Sequence, residues 1–161
     1  MYFSTVIEPV DDASEIKFAI KNFGLNVTGK FSGLSGTIQF NPSNLSASVF
    51  NVSVDAATVN TGVDMRDSHL KKEEYFDVSK YPSLNFVSTS ITGDQNGYTV
   101  SGRLTIKGVT KDISFPFTAT RQNDVMVFTG SFSINRKDFN VGGGSTVMGS
   151  NVDVNLKVLA Q

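Results

Sequence analysis

Apolar and polar residues alternate with a period of two along almost the whole chain. Between residues 15 and 22, Ile16, Phe18 and Ile20 share one face while Glu15, Lys17 and Lys21 share the other. Ile38 and Phe40 repeat the pattern, as do Phe50, Val52 and Val54. Tyr98, Val100, Leu104 and Ile106 follow, then Ile113, Phe115, Phe117 and Ala119. Met126, Phe128, Phe132 and Ile134 come next, and Val152, Val154, Leu156 and Val158 close the series. Such alternation predicts strands with one buried face. One run is out of step: Leu84 and Phe86 lie in one phase, Val87 and Ile91 in the other.

Turn-forming residues separate these runs, at Asn41-Pro42-Ser43-Asn44, at Gly93 to Gly97, at Lys107-Gly108 and at Gln122-Asn123-Asp124. Short turns join antiparallel neighbours, because parallel pairs need long crossovers. Eight or nine such strands bury their apolar faces either in a sandwich or in a closed barrel. Strands of about ten residues reach roughly 33 Å, which favours a tall barrel. Only the region near residues 62–76 reads as helical. Thr61-Gly62-Val63-Asp64 resembles a capping box, and the stretch from Asp64 to Phe76 has no Gly or Pro. A short helix between long strands is expected to plug or gate one end. Without internal repeat, low-complexity tract or linker, residues 1–161 form a single all-β domain.

Composition narrows the chemistry. Fourteen basic against 15 acidic residues give a net charge of −1, which argues against nucleic acid or an anionic membrane surface as the main partner. With no Cys, disulfides, thiol catalysis and Cys-ligated zinc are excluded, and one His makes a His-rich metal site implausible. The aromatic residues are 13 Phe and 4 Tyr with no Trp, a bias toward greasy interiors over polar active sites. No apolar run is long enough for a membrane-spanning helix. Met1-Tyr2-Phe3-Ser4-Thr5 lacks the basic start and apolar stretch of a secretory leader, so the chain reads as cytoplasmic or as an exported protein whose leader is absent from this chain.

Catalytic motifs are missing: no G-x-S-x-G, no H-E-x-x-H, no EF-hand loop, and no phosphate loop at Gly102 to Gly108. His69 stands near Asp64, Asp67, Glu73 and Glu74, a setting more typical of a solvated polar helix than of a metal site. Gly142-Gly143-Gly144 reads as a flexible turn. Arg66 and Asp67 read first as a salt bridge or helix–loop brace.

Four blocks in order carry a resemblance. They are EIKFAIKNFGLNVTGKFSGLSGTIQFNP from residue 15, NTGVDMRDSHLKKEEYFDVSKYPSLNFVSTSI from residue 60, YTVSGRLTIKGVTKDISFPF from residue 98 and FSINRKDF from residue 132. Together they resemble the YceI-like family. The resemblance implies a lipocalin-like antiparallel β-barrel whose pore holds a long apolar chain, such as a polyisoprenoid, an isoprenoid quinone or a fatty-acid amide. It also implies frequent export to the bacterial periplasm. Where many relatives carry His, this chain has Asn22.

On this reading the inward phase lines a ligand pocket through Phe18, Ile20, Phe40, Val52 and Phe86, and through Leu104, Phe115, Phe117, Phe128 and Phe132. Periodicity alone leaves open whether these residues enclose a tunnel or a packed core. Met65, Arg66, His69, Tyr75 and Phe76 are expected at the mouth, with Arg66 or His69 near a head group. The expected function is binding, storage or transport of a long-chain amphipathic lipid, with no cofactor and no metal. The alternatives are a non-catalytic interaction or stress-response scaffold and, more weakly, an enzyme acting on an isoprenoid through His69, Tyr75 and Arg136. The oligomeric state is open, with a homodimer among the options.

Overall fold

The structure, a computed structural model, describes residues 6–161; the Met1–Thr5 segment weighed above as a leader lies outside the described residues. Nine strands run in the order β1 (Val6–Ile7), β2 (Glu15–Asn22), β3 (Leu25–Gln39), β4 (Val49–Asn60), β5 (Ser83–Asp94), β6 (Gly97–Ile106), β7 (Val109–Gln122), β8 (Val125–Asn135) and β9 (Asn151–Ala160). One α-helix, α1 (Asp64–Leu70), interrupts them between β4 and β5. All pairings are antiparallel. Following the sheet from β3 through β2, β9, β8, β7, β6 and β5 leads to β4, and β4 pairs back onto β3. The result is a closed eight-stranded barrel, with β1 added to the end of β3. Closure leaves almost no free sheet edge.

The β9 strand occupies the seam. It pairs with β8 along its whole length and with β2 from Glu15↔Lys157 to Ala19↔Asp153. Just beyond, Glu8 and Gln161 exchange backbone hydrogen bonds of 3.0 Å in both directions.

The expected alternation holds, and its irregularities have a cause. Between the Ser88 and Ser90 pairings the β5–β6 register shifts, so the extra residue reverses the inward phase. Phe86 and Ile91 therefore both pack against the interior. Of the two register shifts between β3 and β4, the one between Ser32 and Ser35 likewise places an extra residue on β3, which lets Phe31 and Leu34 both be buried. There Gly33 has φ +74°, and a Cβ on it would collide with the Asp55 carboxylate. Two-residue turns join β2 to β3 (Phe23 φ 53°, Gly24 φ 76°) and β6 to β7 (Lys107 φ 53°, Gly108 φ 74°). Left-handed geometry at both positions matches the twist of the flanking strands.

The α1 connection differs from the sequence expectation. Val63, not Thr61, is the N-cap, and no side chain caps the helix. The helical segment is also shorter than residues 62–76, ending at Leu70. The Phe76 N–H then donates to the Leu70 carbonyl (3.0 Å), and Asp77, at φ 50°, turns the chain away.

Candidate functional site: a blind apolar cavity

The two ends of the barrel are filled differently. At the end where β5 meets β6 and β7 meets β8, Phe40, Tyr98, Phe117 and Phe128 pack with Ile38, Val100 and Ala160 into a buried cluster. Phe40 stands edge-on to Tyr98 (5.1 Å between ring centres) and to Phe128 (5.5 Å), and Phe50 stands edge-on to Phe117 (5.4 Å). This is the favoured aromatic geometry. Leu45, from the Leu45–Ala47 turn, and Ile7, from β1, close the cluster off from outside.

At the opposite end the barrel is hollow. A cavity of about 540 Å³ opens there, within the usual range of small-molecule sites. Glycines help make the space. Phe18 lies against Gly29, its direct partner across the β2–β3 pair, and a Cβ on Gly29 would overlap its ring. Phe86 covers Gly102 in the same way. Laid over bare backbone, the Phe18 ring stays against the wall of the barrel, and the Phe86 ring is seated at the base of the cavity.

The mouth is built from the β2–β3 turn, from α1 with the segment up to Phe76, and from the β8–β9 connection. Polar clasps hold it. The Thr61 N–H and hydroxyl donate to Asp67 Oδ1 at 2.8 and 2.6 Å, while Arg66 donates to Thr61 Oγ1 (2.7 Å) and to its carbonyl (2.9 Å). Arg66 and Asp67 thus brace the helix to the preceding loop through Thr61, without pairing directly. Arg136, 2% exposed, donates to the carbonyls of Gly149 (2.8 Å), Val141 (2.9 Å), Met148 (2.9 Å), Ser145 (3.3 Å) and Gly142. Five carbonyl partners leave its donors no capacity for a reaction. Gly142, read from sequence as part of a flexible turn, is a docking point: its N–H meets the Glu74 carbonyl at 2.7 Å, and Tyr75 lies where a Cβ would project.

Of the residues expected in the pocket, Phe18, Ile20, Val52, Phe86, Leu104, Phe115 and Phe132 line the cavity. Phe40, Phe117 and Phe128 do not; they share the inward phase but are held in the aromatic cluster at the other end. All five residues expected at the mouth, Met65, Arg66, His69, Tyr75 and Phe76, line the same cavity. The sequence reading missed Phe23, Phe31, Leu34, Phe139, Val147 and Met148, which also line it. Phe31 and Leu34 were hidden by the register shifts, and the others belong to turns, where period-two patterning carries no information. Phe23 and Met65 are 74% and 73% exposed, forming an apolar rim. The lining includes Lys17, Arg66, His69 and Arg136 but neither Asp nor Glu. Among the described residues no buried side-chain nitrogen or oxygen lacks a partner.

Known proteins share both sequence and architecture with this chain. UPF0312 proteins of Pectobacterium atrosepticum and Yersinia enterocolitica are each 35% identical over 133 residues, covering 78% of this chain and 69% of theirs. The crystal structure of BcnA from Burkholderia cenocepacia superposes with a TM-score of 0.89 at 25% identity, covering 95% of this chain and 99% of that one. A polyisoprenoid binding domain from Saccharophagus degradans shares the fold, with a TM-score of 0.81 at 19% identity over 96% of this chain and 97% of that one. The YceI-like domain matches residues 7–160, and the chain accordingly belongs to the YceI-like family.

Proposed function

We propose that the barrel binds and carries a long-chain amphipathic lipid of the polyisoprenoid, isoprenoid quinone or fatty-acid amide type, with its tail in the cavity and its head at the mouth. The observation that carries this reading is the 540 Å³ cavity, apolar within and open at a rim where Arg66 and His69 stand. Each methylene moved from water into such a space contributes roughly 0.8 kcal/mol, so a tail alone supplies substantial affinity. The fold shared with a polyisoprenoid binding domain points the same way. A carrier is favoured over an enzyme because acid–base chemistry needs titratable groups within hydrogen-bond reach of the reacting atoms. Here the lining has no carboxylate, and Arg136 is committed to backbone carbonyls.

Organic extraction of the purified protein followed by mass spectrometry tests the proposal, together with titration of the extracted protein with prenols, quinones and fatty amides. Recovery of one lipid class that rebinds at one-to-one stoichiometry is the expected result. An empty extract with no binding in any titration would overturn it.

A further inference from the structure

The cavity does not run the length of the barrel. Beyond it lies a separate void of about 70 Å³, bordered by Phe117 and Phe128 of the aromatic cluster. Between the two spaces stand Phe86 and Phe115, with ring centres 5.6 Å apart, together with Val52, Leu156 and Val158; these five residues border both. The partition is firmly seated. Phe115 stacks on Phe132 at 4.7 Å, and Phe86 is held over Gly102. A tail entering past Met65 and Phe76 therefore meets a wall of rings before it meets the far end.

The volume in front of that wall sets a length. A dry apolar cavity of about 150 Å³ accommodates benzene, so 540 Å³ accommodates roughly twenty carbons. We propose that Phe86 and Phe115 form a stop that fixes the longest apolar tail the barrel accepts at roughly twenty carbons. This inference rests on the carrier reading and narrows its ligand to an amphipath with one tail of bounded length. A much longer polyisoprenoid leaves its excess in water at the mouth, and a second tail has no room beside the first.

A homologous series of unbranched 1-alkanols, titrated into lipid-extracted protein by displacement of an environment-sensitive fluorescent probe, tests the stop. Affinity is expected to rise roughly fourfold per added methylene until the cavity is full, then to level off. Phe115→Ala joins the cavity to the void behind it and should move the plateau several carbons further. Phe115→Leu, a milder change for folding, should move it in the same direction by less. Phe128→Leu enlarges only the far void and should leave the plateau where it was. Affinity that keeps rising well past roughly twenty carbons would overturn the stop, as would a plateau unmoved in both Phe115 variants. If no alkanol, prenol, quinone or amide binds at any length, the carrier reading itself fails and the stop fails with it.

Discussion

The closed end and the open end of this barrel are made from the same eight strands and the same alternation, yet one is solid and the other hollow. At the closed end, large rings on facing strands point at one another, and Phe40, Phe50, Tyr98, Phe117 and Phe128 lock edge to face. At the open end, Phe18 is laid over Gly29 and leaves the middle empty, down to the base of the cavity where Phe86 is seated over Gly102. The closed end is held by apolar packing and the mouth by hydrogen bonds donated by Arg136 and Arg66 and accepted by Asp67. On the proposed carrier reading, stability and binding fall on different stretches of the same strands.

The strongest challenge to this division is Phe40→Ala. Removing a ring that touches four others in a packed cluster should cost roughly 3–5 kcal/mol in chemical denaturation, with lipid affinity of the folded fraction unchanged. A small loss of stability with weakened binding would show that the cavity extends through the closed end. Next comes Arg136→Leu, which strips five carbonyls of their donor. It should destabilise by about 3 kcal/mol and release the amides of residues 141–149 to faster hydrogen exchange, while protection in β6 and β7 persists. Uniform loss of protection across the barrel would contradict a separately held mouth.

At the open end, Phe18→Ala borders space that already exists. Its stability cost should be about 1–2 kcal/mol, below that of a packed ring, and lipid affinity should fall roughly tenfold. An equal cost for Phe18→Ala and Phe40→Ala would erase the contrast. Gly29→Ala is the subtlest change, because its methyl displaces the Phe18 ring inward. Binding should weaken a few-fold at a stability cost of about 1 kcal/mol, read by titration beside thermal melting. Unaltered binding would mean that the glycine has no part in keeping the cavity open.

Much of the architecture was legible in the chain itself, since inward residues such as Ile16, Phe18, Phe115 and Leu156 follow a period set by backbone geometry. Even the irregular stretch from Leu84 to Ile91 was visible as a phase conflict; its origin in a shifted β5–β6 register was not, because a bulge is a property of two strands together. Hollow and solid were indistinguishable for a related reason. Phe117 and Phe18 occupy equivalent positions in their local patterns and both face a glycine across the sheet, Gly130 and Gly29, yet only the Phe18 ring lies over its glycine, while the Phe117 ring packs against Phe40, Phe50 and Tyr98. The mouth was half legible. Residues 62–76 stood out as the one helical interruption between strands, but Thr61 was misread as a cap because its partner, Asp67, lies one turn further along than a capping box requires.

The seam at β9 shapes how the molecule is made. Because β9 lies between β2 and β8, a chain emerging from the ribosome holds its first long strand unpaired on one side until residues 151–160 arrive. Every hairpin from β2 to β8 can assemble as it is synthesised, but the ring cannot close. During that interval two open edges and a Phe-rich inner face are exposed together, the combination most prone to intermolecular pairing. Because this pairing joins residues far apart in the sequence, closure at β9 is expected to be the slow step of folding.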